Sequence, residues 1–199
     1  MTHTTRARGR PRTQTTDARI LAATLELLGQ VGYARMSLDD VAQAAGVTRP
    51  TIYLRYPNKA ALARAAMAAA REQTPLPRPT GDTRADVAAQ LRHFQAGITR
   101  PYGLSMIGAL LAEEHAMPDL LAQYREDVVL PRRMLIRAVL VAAQERHELS
   151  RDADIELAVS QLLGSYYSLY IEGAVIPDDW PERVSAQVLR GLLPRGDTV

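Results

Sequence analysis

Between Thr48 and Lys59 the chain sets hydroxyls and cations close together: Thr48, Arg49, Thr51, Tyr53, Arg55 and Lys59. Read as a helix, Arg49-Pro50-Thr51-Ile52-Tyr53-Leu54-Arg55-Tyr56 puts Ile52 inward, with Tyr56 a second candidate. Arg49, Thr51, Tyr53 and Arg55 are left for another partner. A guanidinium carries five N–H groups in a planar fork, which suits phosphate oxygens and the paired acceptors of guanine. Upstream lie Arg6, Arg8, Arg10 and Arg12. Within them, Arg8-Gly9-Arg10-Pro11-Arg12 matches the core of an AT-hook, where glycine lets the backbone sit deep in a minor groove and the flanking arginines enter its negative potential. The other reading is a basic tail with no docking role.

Other chemistries find little support. Without cysteine there is no disulfide, thiolate metal site or cysteine nucleophile. His3, His93, His115 and His147 are scattered, and none has a partner at metal-ligand spacing. Glu113-Glu114-His115 brings carboxylates near an imidazole but reads as a solvated helix end before Met117-Pro118. Neither a glycine-rich phosphate loop nor a nucleophile elbow occurs. No catalytic residue, metal or cofactor is expected. Charge instead marks one end. Residues 1–60 hold eight arginines and Lys59 against Asp17, Glu26, Asp39 and Asp40, a balance of +5 within a chain whose net charge is +2. That asymmetry is expected when one end meets a polyanion. Apolar runs such as Ala138 to Ala143 fall far short of the roughly 20 residues of a membrane span. The arginine-rich start has no apolar run behind it, so a secretory signal is not expected and a cytoplasmic location is; an acid-free, Arg- and Thr-rich start also suits a transit peptide.

The elements that would carry these residues are helical almost throughout. A first helix is expected from Asp17, capped by Thr15 or Thr16, with Ile20, Thr24, Leu27, Leu28 and Val31 on one stripe and Gly32 as its stop. Ser37-Leu38-Asp39-Asp40 reads as a capping-box variant opening a second helix that buries Leu38, Val41, Ala42 and Ala45. Gly46 breaks it. Thr48 caps a third helix with Pro50 in its first turn, and Tyr56-Pro57-Asn58 ends that helix and caps a fourth. Two short helices at a Gly-containing turn form a helix-turn-helix pattern. The proline-rich stretch Thr74 to Gly81 reads as a linker. Beyond it, helices open near Thr83, Pro101, Pro118, Asp152 and Asp178 or Asp179, and Pro131 should kink or split the long segment from Pro118. The fold class is all-α, about nine helices, divided into an arm over 1–15, a helix-turn-helix head over 16–62 and a helical body over 63–199.

From about Asp17 to Leu62 the sequence resembles the TetR/AcrR family of transcriptional regulators. The resemblance rests on Ile20-Leu21-Ala22-Ala23, Gly32-Tyr33, Ser37 to Ala42, Ala45-Gly46-Val47-Thr48, Thr51-Ile52-Tyr53 and Tyr56 to Leu62, matching in order and spacing. Pro50 and Leu54-Arg55 depart from the family pattern on base-reading positions. The resemblance implies a recognition helix in the major groove of double-stranded operator DNA, its N-terminal residues nearest the base edges. Arg49, Pro50 and Thr51 are then expected to contact bases, and Ser37, Thr48, Tyr53, Arg55 and Lys59 to contact phosphates, with Arg8, Arg10 and Arg12 as the arm.

The resemblance also implies a ligand-binding and dimerisation body. One head has too few base contacts for selectivity, so a homodimer on a pseudo-palindrome is expected, acting more often as repressor than activator. Leu157, Gln161, Gly164, Ser165 and Ser168, with Val184, Val188, Leu189 and Leu192, form the expected dimer surface, whose alternative is burial inside one subunit. For a small-molecule effector of unspecified class the candidate lining is Phe94, Tyr102, Met106, Tyr124, Met134, Tyr166, Tyr167 and Tyr170; each also reads as ordinary core.

Overall fold

The computed structural model describes residues 10–72, 75–100, 103–116 and 118–194, and no strand occurs among them. Ten α-helices follow in order: α1 (Arg10–Arg35), α2 (Leu38–Ala45), α3 (Arg49–Tyr53), α4 (Lys59–Glu72), α5 (Thr83–Ile98), α6 (Gly103–Ala112), α7 (Pro118–Tyr124), α8 (Leu130–Glu145), α9 (Ile155–Glu172) and α10 (Trp180–Gly191). A π-helical turn, Arg125–Val129, joins α7 to α8. Taken as one helical run, residues 118–145 bring the described helices to nine.

The chain gathers into two compact units. Residues 1–73 and 99–128 form the first, and 74–98 with 129–199 the second. In the first, α1 packs on α2, α4 and α6. Ile20, Leu28, Met36, Val41, Ile52 and Leu62 are each almost wholly withdrawn from solvent there, and burying such a side chain contributes about 1.5–3 kcal/mol. In the second, α5 lies against α8 and α10, and α9 against both of those. Its core is Val87, Leu91, Phe94, Ile136, Leu140, Leu162, Tyr166 and Trp180.

Local signals set most boundaries. Ser37 Oγ accepts from the Asp40 amide at 3.1 Å while the Ser37 amide donates to Asp40 Oδ2 at 3.1 Å, a closed capping box. The expected inward set of α2 (Leu38, Val41, Ala42, Ala45) is buried. Gly46 ends α2 at φ 60°, ψ 43°, the left-handed region that favours glycine. Asn58 Oδ1 accepts from the Ala61 amide at 2.8 Å and caps α4.

Four boundaries differ from expectation. α1 starts at Arg10 rather than Asp17, so Arg10 and Arg12 have helical backbone, with Pro11 tolerated in a first turn. Gly32 does break α1, at φ 77° and ψ 166°, but helix resumes for one turn to Arg35. The disturbance ascribed to Pro131 falls before it: the wide turn over 125–129 precedes Pro131, which lies in the first turn of α8 and has no N–H to continue the helical ladder across that junction. Asp154, not Asp152, caps α9, its Oδ1 accepting from the Leu157 amide at 2.9 Å.

Candidate nucleic-acid interface

The outward side of α3 is built on its one buried residue, Ile52, which anchors five residues of helix to the core and turns the others out. Thr48 takes the N-cap position with extended backbone, but its hydroxyl pairs with Thr51 Oγ1 at 2.9 Å instead of capping an amide. Pro50 lies in the first turn, exposed. Tyr53 keeps 46% of its surface in solvent and Leu54, at the end of the helix, 84%.

Arg49 is held on two sides. Its Nη1 donates to Asp39 Oδ2 of α2 at 3.0 Å and its Nη2 to Tyr53 Oη at 3.1 Å, with the guanidinium carbon 5.4 Å from the Tyr53 ring centroid. The hydrogen bond to Tyr53 and the charge of Asp39 both hold its pKa above the ordinary arginine value. Both partners of the ion pair are more than half exposed. Such an exposed pair stabilises little, so it orients the guanidinium without committing it.

Arg55 and Lys59, expected at phosphates, are engaged within the protein. Arg55 forms an ion pair with Asp17 of α1, and its Nη1 donates to the Thr51 carbonyl at 2.9 Å. Lys59 Nζ donates to the carbonyls of Tyr33, Ala34 and Met36 at 2.7, 3.3 and 2.9 Å, 4.2 Å from the Tyr33 ring centroid. An ammonium has three protons, and these three carbonyls take them. Burial pushes the Lys59 pKa down, and Glu113 acts against it. Ser37 is also committed, its hydroxyl donating to Asp40 Oδ2 at 2.6 Å. Asp39 and Asp40 in the first turn of α2 oppose an anion there. Arg19 of α1, absent from the sequence expectation, donates to the carbonyls of Ala45 and Gly46 and fixes the turn between α2 and α3. The side chains of Arg10 and Arg12, and all of Arg8, lie outside the described residues.

The residues expected to line an effector site fall in both units. Phe94, Tyr166 and Tyr167 of the second unit form an aromatic cluster, with centroids 5.4 and 5.8 Å from Phe94, which Trp180 joins at 5.1 Å from Tyr166. Tyr166 is buried as core. Met134 and Tyr170 are exposed. Met106 and the buried Tyr124 belong to the first unit, and Tyr102 lies outside the described residues.

Of the expected dimer surface, Leu157, Gln161, Gly164 and Ser168 are exposed along α9. Ile171, missed in the sequence, continues the row at 84% exposure. Two members turn the other way: Leu189 is buried, and Ser165 Oγ accepts from Trp180 Nε1 at 3.2 Å. Val184, Val188 and Leu192 are half-buried. An open groove of about 920 Å³ includes Leu157, Gln161, Val188 and Leu192 in its lining.

A capped pair of short helices, joined at a left-handed glycine and displaying a polar helix on a buried isoleucine, defines a helix-turn-helix DNA-binding protein. The chain matches the family model for bacterial regulatory proteins of the tetR family over residues 20–66 and that for the tetracyclin repressor-like C-terminal domain over 76–188. It belongs to the TetR family of transcriptional regulators. It is 34% identical over 175 residues to an uncharacterized HTH-type transcriptional regulator of Mycobacterium tuberculosis, covering 87% of this chain and 83% of that one. YdeS of Bacillus subtilis, described in the same words, is 28% identical over 187 residues, 93% of each chain. Among solved structures it is similar to the TetR family transcription regulator SCO0332, with 33% identity and a TM-score of 0.65 over 90% of this chain and 99% of the other.

Proposed function

We propose that this regulator is a ligand-responsive repressor that binds a pseudo-palindromic operator as a homodimer in the cytoplasm, with the DNA-binding head over 16–62. The observation that carries the reading is the display of Arg49, Pro50, Thr51 and Tyr53 on a helix anchored by Ile52, with Arg49 oriented but not committed by its exposed pair with Asp39. Arg49 and Thr51 take base edges, and Thr48 and Tyr53 take phosphate. Arg55 and Lys59 hold the head together instead. The exposed row Leu157, Gln161, Gly164, Ser168 and Ile171 supports pairing through α9, with small residues at its centre permitting close approach. An effector that prefers a geometry in which the two heads are too far apart shifts the population away from the DNA-bound state.

A mobility shift with the duplex upstream of its own gene tests this. The full chain retards that duplex at about 150 mM salt, where a scrambled duplex of equal length stays free. Equal retardation of both would leave only non-specific attraction and overturn the reading.

A further inference from the structure

Among the described arginines that are half-buried, one has no polar partner. Of the described arginines withdrawn from full exposure, Arg55 meets Asp17, Arg100 donates to the Ala70 carbonyl at 2.5 Å, and Arg133 reaches Ser160 Oγ at 3.1 Å and Glu156 at 3.5 Å. The fourth, Arg132, has no hydrogen bond or ion pair among the described residues and lies against the Phe94 ring, with its guanidinium carbon 5.0 Å from the centroid. One turn further along α8, Arg137 has Glu156 at 2.8 Å. Arg132 lies on the side of α8 that faces α5: a Cβ added at Gly97 would stand 3.4 Å from its Nη2, so a glycine leaves room for the guanidinium. A cation half withdrawn from water beside an aromatic ring, with no acid, keeps most of its hydrogen-bonding capacity for something else.

A second group points the same way. Tyr167 packs against the same Phe94 ring, centroids 5.8 Å apart, and its hydroxyl has no hydrogen-bond partner among the described residues. Burial raises the Tyr167 pKa, so the phenol stays protonated and able to donate, while Arg132 is near enough to act on it electrostatically in the opposite sense. Phe94, Gly97, Arg132 and Tyr167 all belong to the second unit.

We propose that Arg132 and Tyr167 form an oxyanion-binding site that takes the carboxylate of a small organic acid with an apolar body, the guanidinium as fork and the phenol as second donor. A carboxylate matches the fork by two parallel bonds and accepts a third from the phenol. The rings beside it favour an aromatic or acyl remainder over a sugar acid. This names the chemistry of the effector and rests on the ligand-responsive reading above only for its consequence at the operator.

The test is made first without DNA, on the full chain, by isothermal titration and by the emission of Trp180, which lies 6.1 Å from Phe94. Benzoate and octanoate are the probes, each against its neutral amide. At least one carboxylate is expected to bind tenfold or more tightly than its amide. Arg132→Gln should abolish that preference, Tyr167→Phe should reduce it several-fold, and Arg133→Gln should leave it unchanged. Tyr167→Phe removes one oxygen atom, so it remains readable should Arg132→Gln fold poorly. No preference for either acid, or a preference that survives both Arg132→Gln and Tyr167→Phe, overturns the proposal. Operator binding without ligand is then measured on the same preparations, so a failed oxyanion site and a failed DNA-binding reading give different results.

Discussion

At the scale of single residues the interface separates two kinds of arginine and lysine. Arg49 sits in an exposed pair with Asp39 and beside Tyr53, a geometry that orients its fork without trapping it. Arg49→Ala should therefore lower affinity for the selected operator about 10–100-fold and relax the base preference at one position per half-site, by fluorescence anisotropy, with little loss of stability. Lys59, by contrast, ties α4 to the end of α1 through three carbonyls. Lys59→Met should destabilise the chain by about 1.5–3 kcal/mol in urea unfolding, since hydrogen bonds from a charged group are among the stronger ones. A Lys59→Met protein of unchanged stability whose salt slope of log K falls by about one would instead mark a phosphate contact. None of these pairings was legible in the sequence. Arg49 and Asp39 are 10 residues apart across a turn and Arg55 and Asp17 are 38 apart, so no helical period connects them. The polar face of α3 was legible because Ile52 is alone in its inward direction.

Elements were readable where a local hydrogen bond fixes them. The Ser37–Asp40 box, Gly46 and Asn58 each act within four residues, and each stands where the sequence puts it. The π-helical turn before Pro131 was not readable, because a proline acts on the turn before it rather than at its own position. Gly46→Ala would force a side chain into the left-handed region and set its Cβ 2.6 Å from Arg19 Nη2. That should cost about 1–2 kcal/mol and loosen the turn that aims α3. α5 offers a pH test. Burial tends to raise the Asp86 pKa, but hydrogen bonds from the Thr80 hydroxyl and from the Thr80 and Gly81 amides outweigh it and hold it below the ordinary carboxylate value. A lowered folded pKa stabilises above the unfolded value, about 3.9, and the benefit fades as pH falls through the folded one. Asp86→Asn should lie below wild type in denaturant midpoint by a constant amount from pH 7 to about pH 5, and the gap should close progressively as pH falls further. A gap that persists at pH 2.5 would show that the shift is not what stabilises this helix start.

For the whole molecule, the grouping of α6 and α7 with the head, and of α5 with α8, α9 and α10, does not follow the order of the chain. The linker seen in the sequence marks where composition changes, whereas packing is decided by which apolar faces meet. The row on α9 was legible as small and apolar residues at helical spacing. Ser165 of α9 and Leu189 of α10 turn into their own subunit, because periodicity gives the faces of a helix without saying which one that subunit covers. Leu157→Lys combined with Ile171→Lys places two charges per subunit on the exposed row and should yield monomer in sedimentation velocity, with helical content retained and operator affinity lost. A double variant that still sediments as a dimer would move the interface off α9.

The central claim, that α3 reads base sequence in duplicate, is tested most directly by selecting duplexes from a random pool with the full chain at about 150 mM salt. The result expected is a pseudo-palindrome whose half-site centres lie about 34–36 Å apart or a multiple of it, with Arg49→Ala losing one specified base in each half. A recovered pool as random as the starting one, or an unpaired motif unaffected by Arg49→Ala, would contradict it.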